Sequence, residues 1–221
     1  MLRVKGLCKD FLLYRGLRGY LRPERRTVLR DLELQVSPGQ IVGIEGANGS
    51  GKTTLLKVIA GLLSQTSGTV QVTGGTGGAG ITVADARSFY WRLTCRANLE
   101  FFGALTGLTR VQLAPRIEEV SERIGIHGQL DDPFMTLSSG QMQRMAIVRT
   151  LLAAPRLWLL DEATRSLDDA GRQAVAAELG RLCHDGGSAI WISHDRSAAG
   201  IGCDQIYLLR EGRLMLQEGE A

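Results

Sequence analysis

Lys52 stands between a glycine-rich loop and two threonines, at the head of a helical stretch. The segment 46–54, "GANGSGKTT", fits G-x-x-x-x-G-K-[ST], with a short apolar strand before it and a helix after it. Gly46, Gly49 and Gly51 let the backbone curl so that its N–H groups face inward around a phosphate. Ala47, Asn48 and Ser50 belong to the same cradle, and the following helix adds its positive N-terminal end. Lys52 supplies a full positive charge for β- and γ-phosphates, Thr53 a hydroxyl for Mg²⁺, and Thr54 a further hydroxyl for a phosphate. This P-loop by itself implies a nucleoside triphosphate and nothing finer.

A second group supplies acid and base. "LWLLDE" (157–162) is a continuous apolar run, the pattern of a parallel strand buried on both faces, and it ends on Asp161 at the carboxyl edge of the sheet. Asp161 is expected to hold Mg²⁺, mostly through water, and Glu162 to polarise an attacking water as general base. "SHD" (193–195) follows another apolar run, "AIWI", and brings His194 to the same edge, where it can donate to the γ-phosphate and orient water. His127 and His184 fall in helical or loop contexts and read as solvated, without a role.

The elements that must position these groups can be traced from periodicity. Leu2, Val4 and Leu7 mark a first strand, a basic insert spans 14–26, and "VLRDLELQV" (28–36) alternates as a half-buried strand. "IVGIE" (41–45) runs into the P-loop and a helix over 52–63; strands follow at 68–72 and 81–84. "GTGGAG" (75–80) formally matches a dinucleotide fingerprint, but it leads into a strand where that fingerprint requires a helix, so it reads as a connector. From about 94 to 154 the period is helical, with Met145, Val148, Leu151 and Leu152 on one face. A helix over 169–184 and a hairpin over 205–217, turning near Glu211 and Gly212, complete an α/β layout with a helical insertion.

Bulk composition excludes several classes. The 221 residues are 44% hydrophobic and 22% charged, enough for a sizeable core without disulfides. A net charge of +3 is too mild to imply nucleic acid. There is no apolar run of about 18 residues and no apolar leader, so a cytoplasmic location is expected. Cys8, Cys95, Cys183 and Cys203 are far apart and read as reduced, mostly buried thiols.

Taken together, "GANGSGKTT", "LSSGQMQR" (137–144), "LWLLDE", "SLD" (166–168) and "SHD", in that order, resemble the ATP-binding subunit of an ABC transporter over nearly the whole chain. "LSSGQ" is the discriminating element, with Ser139 in place of the family's first glycine. Ser138, Ser139, Gly140 and Gln141 read either as an ordinary serine N-cap or as a second anion site at a helix start. The resemblance implies a P-loop NTPase core with an antiparallel β subdomain and an inserted α-helical subdomain. Its divisions are 1–84 for the β subdomain and P-loop, about 85–154 for the helical subdomain, and 155–221 for the rest of the core. It also implies ATP and Mg²⁺, a homodimer or heterodimer with each ATP between one P-loop and the partner's Ser138–Gln141, and Asp168 along the seam. The work is done on a separate permease at the inner face of the membrane, export being the expected direction, without nucleic acid. The alternatives are a regulatory partner with weak ATPase activity, or a non-transport ATPase of the same type.

Three further assignments follow from the resemblance. Phe11 lies where the family places an aromatic against adenine, although Tyr14, Tyr20 and plain core remain open. The family's glutamine between the edge strand and the helical block is missing, and Asp85 or Ala86 stands near its place; Asp85 is the candidate for reaching the metal. Phe89, Tyr90 and Trp91 sit at the junction that receives the permease, either as surface anchor or as core under the helical block. The arginines Arg15, Arg18, Arg22, Arg25 and Arg26 face either anionic lipid, an acidic permease loop or solvent.

Overall fold

The computed structural model describes residues 2–14, 23–73, 78–83, 85–192 and 202–217. Two sheets organise it. Strands β1 (Leu2–Leu13), β2 (Glu24–Val36) and β4 (Ser67–Val72) form an antiparallel sheet in the order β2-β1-β4. The second has the order β5-β6-β7-β3-β8-β9, built from β3 (Ile41–Glu45), β5 (Ala79–Val83), β6 (Leu157–Asp161), β7 (Ser188–Ile192), β8 (Gln205–Arg210) and β9 (Arg213–Gln217). Its first five strands are parallel and β9 is an antiparallel edge. Residues 2–83 therefore supply strands to both sheets.

The parallel sheet is buried on both faces, as its unbroken apolar runs require. Side chains alternate across it: Leu157, Leu159, Ile190 and Ile192 join one core cluster, whereas Trp158, Leu160, Ala189 and Trp191 join the other. The first cluster also holds β1, β2 and helix α1 (Lys52–Ile59). The second holds α2 (Cys95–Ala104), α3 (Arg110–Ile124), α4 (Ser139–Leu152) and α5 (Asp169–His184). A buried chain of hydrogen bonds ties α4 to this sheet: Trp158 Nε1–H donates to Thr82 Oγ1 at 2.9 Å, and the Thr82 hydroxyl donates to Thr150 Oγ1 at 2.9 Å.

Several expectations need correction. Helix α1 stops at Ile59 rather than reaching 63, because Gly61 turns left-handed (φ 72°) and the Gly61 and Leu62 N–H groups close back on Val58 and Lys57. Part of the basic insert is strand: β2 begins at Glu24, and Arg25 pairs with Asp10 across the hairpin. His127 is not merely solvated. Its Nε2 lies 2.7 Å from Glu118 Oε2, and Glu118 also pairs with Arg96, which reaches Asp131. That cluster pins α2, α3 and the 127–131 turn together. Of the four free cysteines only Cys95 is fully buried; the other three are half-buried, and burial pushes the Cys95 and Cys203 thiols up to about 11. His194, Tyr20, Arg15, Arg18 and Arg22 lie outside the described residues. Among the described residues, no helix is long and apolar enough to cross a membrane.

Candidate nucleotide site

The 46–51 loop takes its shape from positions where no side chain fits. Gly46 has φ 152°, and a Cβ there would lie 2.4 Å from the Leu209 carbonyl oxygen. Gly51 has φ 109° and stands directly before α1, where a Cβ would press on Leu29 and Val28. Helix α1 thus begins with no side-chain cap and no acid in its first turn, leaving its N-terminal N–H groups facing the loop. Lys52 is 6% exposed and donates to the Gly46 and Ala47 carbonyls at 2.7 and 3.0 Å. Burial lowers its pKa, opposed by the charges of Glu162 and Asp161. Ser50 Oγ is buried with no hydrogen-bond partner among the described residues, so the loop holds an unsatisfied polar atom beside its lysine.

Asp161 ends β6 at the edge expected of it and is buried. Burial raises its pKa; the nearby Thr53 hydroxyl opposes that shift, as do the charges of Lys52 and Lys57. The two residues expected to share a metal thus lie near one another. A carboxylate and a hydroxyl are hard oxygen donors of the kind Mg²⁺ takes, so the residues fit the ion. Glu162, the next residue, has φ 52°, a left-handed conformation that costs a non-glycine residue about 1–2 kcal/mol. Its Oε2 lies 3.5 Å from Arg165 Nη1. A strained acidic residue at a sheet edge beside a buried lysine is the arrangement that catalytic sites favour.

Asp85 is two residues beyond Val83, the register partner of Asp161. Its carboxylate accepts from the Arg87 backbone N–H at 3.0 Å and from Arg87 Nε at 3.2 Å, contacts that hold its pKa down. It caps the 86–88 turn. Phe11 is half-buried in β1, with Lys9 Nζ 5.0 Å from its ring centre. Its register partner Arg26 lines, with Arg30, Gly49, Ser50 and Arg213, a pocket of about 480 Å³ against the P-loop.

"LSSGQ" forms the start of α4. Ser138 accepts from the Gln141 N–H at 3.3 Å, and Gln141 Oε1 accepts from the Ser138 N–H at 2.8 Å, a complete capping box. Ser138 and Ser139 are exposed. Gly140 is required by packing, since a Cβ would lie 2.8 Å from the Ser166 carbonyl of "SLD". Asp168 caps α5 through the Gly171 N–H and accepts from Arg144 Nη2 at 2.6 Å. Arg144 Nη1 also donates to the Ile124 carbonyl at 2.6 Å, ending α3. Arg144 therefore joins three segments; it stood in the quoted motif without a role.

The aromatic run divides. Phe89 is 5% exposed and stacks on Phe134 with ring centres 4.4 Å apart, so its side chain is core and not a surface contact. Tyr90 and Trp91 are 48% and 46% exposed. Sequence reading also passed over Arg149, whose guanidinium lies over Phe89 at 4.3 Å and Phe102 at 4.9 Å. The available signal was a cation four residues after Met145, on the apolar face of α4.

The sequence pattern of the ABC transporter family matches residues 29–165. The chain is 37% identical to the cytochrome c biogenesis ATP-binding export protein CcmA of Bordetella parapertussis over 200 residues, covering 85% of this chain and 86% of that one. It is 35% identical to the aliphatic sulfonates import ATP-binding protein SsuB of Mycobacterium avium over 191 residues, covering 86% and 74%. Among solved structures, the ATP-binding cassette MJ0796, a post-hydrolysis dimer with ADP and Pi, superposes with a TM-score of 0.84 at 24% identity, covering 99% and 98% of the two chains.

Proposed function

The chain belongs to the ABC transporter family as an ATP-binding subunit with ATPase activity, and from that premise we propose that it powers a separate membrane permease in the export direction. The observation that carries the site assignment is the buried Lys52 at the head of α1 with Asp161 buried at the end of β6, their charges acting on one another, and the strained Glu162 the next residue along. The backbone N–H groups of 46–51 and the open start of α1 receive the β- and γ-phosphates, and Lys52 turns from the loop carbonyls to them. Ser50 Oγ gains a partner when phosphate is present. Thr53 and Asp161 would hold Mg²⁺, which when bound neutralises charge on the phosphates.

Glu162 polarises a water, which attacks the γ-phosphorus; the bond to the bridging oxygen breaks, giving ADP and phosphate. His194, two residues after β7 in the sequence, is assigned to orienting that water. Phe11 is proposed against adenine, next to the Arg26 pocket. Two copies, or this chain and a related one, would close head to tail, each Ser138–Gln141 segment facing the other's nucleotide. Tyr90 and Trp91 would take the permease, with the subunit peripheral on the inner face of the membrane. The export direction leans on one relative, and the 35% identical relative is named an import protein, so direction requires its own test.

The deciding experiment is Glu162→Gln with ATP. It should accumulate as a closed dimer with hydrolysis suppressed. A wild-type chain that hydrolyses nothing with any partner present would replace this reading with that of a regulatory subunit, for which the missing glutamine is the motive. Transport into inverted vesicles, against uptake by intact cells, decides direction.

A further inference from the structure

Arg149 sits in α4, 11 residues after Ser138 and so about 16 Å along the helix from the "LSSGQ" serine. Its guanidinium covers Phe89 and Phe102, and Nη1 donates to Ser88 Oγ at 2.8 Å. The charge of Asp85 also acts on it, from the segment that leaves the ATP-side strand β5. Burial lowers the Arg149 pKa, so this cation is withdrawn from water and held by flat contacts and one hydroxyl. The other side of the Phe89 ring stacks on Phe134, four residues before Ser138. The same run is tied to that approach by backbone: Met135 N–H donates to the Trp91 carbonyl at 3.0 Å, and Phe134 N–H donates to the Leu93 carbonyl at 2.9 Å. The segment 85–93 is thus held to both ends of α4, at its start through Phe134 and Met135 and near its end through Arg149.

We infer that Arg149 is a positioning residue for hydrolysis. It clamps the 85–91 segment to α4, so that a load on Tyr90 and Trp91 moves Ser138–Gln141 as one body with the strand end that carries Asp161. It supplies the mechanical link for which this chain has no glutamine, and it rests on the reading of the site just given. A guanidinium suits the task better than an ammonium. Its plane stacks on two rings while an edge N–H reaches Ser88, which a point charge on a flexible stem cannot do.

The test uses the full chain, with Mg²⁺ and ATP as the probes. Arg149→Ala should bind a fluorescent ATP analogue within twofold of the unmodified chain and keep its KM, while kcat falls at least tenfold. Combined with Glu162→Gln, it should abolish the ATP-driven dimer in sedimentation. Arg149→Lys should recover only part of kcat. Ser88→Ala removes the hydroxyl that accepts from the guanidinium but leaves the ring stack, and should lower kcat at least threefold with KM unchanged; it decides the matter if Arg149→Ala does not fold. A kcat within twofold of the unmodified chain in the folded variants overturns the inference, as does a loss shared equally by nucleotide affinity. An unmodified chain with no hydrolysis refutes the underlying reading instead, and Arg149 is then judged on the ATP-driven dimer alone; if the unmodified chain forms none, the inference falls with it.

Discussion

Two helices begin at anion-suited positions, and their starts are built in opposite ways. Helix α1 opens on Gly51 with no side-chain cap, while Lys52 and the loop glycines enclose the space in front of it. Helix α4 opens on Ser138 with its capping box already closed by Gln141. The first leaves donors for a ligand; the second satisfies its own. The physical lesson is that the P-loop is prepared within one chain. The "LSSGQ" end, in contrast, would have to exchange an internal hydrogen bond for an external one, as the proposed head-to-tail dimer requires of it.

The largest effect that sharpens this contrast is on rate. Glu162→Gln should lower kcat by about 10²–10⁴-fold with nucleotide affinity kept, since general-base contributions are of that size; single-turnover hydrolysis measures it. Next, Lys52→Ala should weaken nucleotide binding by the isolated chain by about 100-fold, the loss of roughly 3 kcal/mol expected when a buried charge contact is truncated. Calorimetric titration showing unchanged affinity would break the first half of the comparison. Ser138→Ala should cost about 1 kcal/mol of stability as a lost cap. It should leave binding to the monomer intact and abolish the ATP-driven dimer; Ser138→Thr should keep both. Weaker binding by the Ser138→Ala monomer would break the second half.

The smallest effect separates the two regions by pH. Asp161 has a raised pKa, chiefly from burial, so it takes up its proton above the ordinary carboxylate range. Its contribution to stability is complete below that range and is lost as pH rises through the folded value. Asp168, beside the "LSSGQ" helix, is held low first by the Gly171 N–H and then by Arg144. Its contribution is present above the ordinary range and lost only as pH falls below it. Hydrogen exchange on descending from pH 7 should therefore show the Asp161 strand gaining protection before the Asp168 turn loses any.

What was legible in the sequence was local. The P-loop, the strand ending in Asp161, the helix over 169–184 and the hairpin turn at Glu211 and Gly212 all rest on spacing or turn chemistry, and each stands where it was placed. The pairing of β4 with β1, far away in the chain, carries no local mark. Phe89 could not be separated from Tyr90 and Trp91, because their directions are decided by Phe134 and Arg149 from other segments. Arg144 and Arg149 were opaque for the same reason: an arginine on a helix declares its role only through the carbonyls, rings and acids that the fold brings to it. Asp85 shows the converse, a residue chosen for its possible reach whose carboxylate caps a turn next to it.

The division of the aromatic run has an optical consequence. The chain has three tryptophans, and two of them, Trp158 and Trp191, lie sealed on the inner face of the parallel sheet, whereas Trp91 is open to water. The sealed pair should emit at short wavelength and resist iodide; Trp91 should emit further to the red and be quenched. The unlabelled protein thus carries its own fluorescent gauge of whatever settles on its outer aromatic surface.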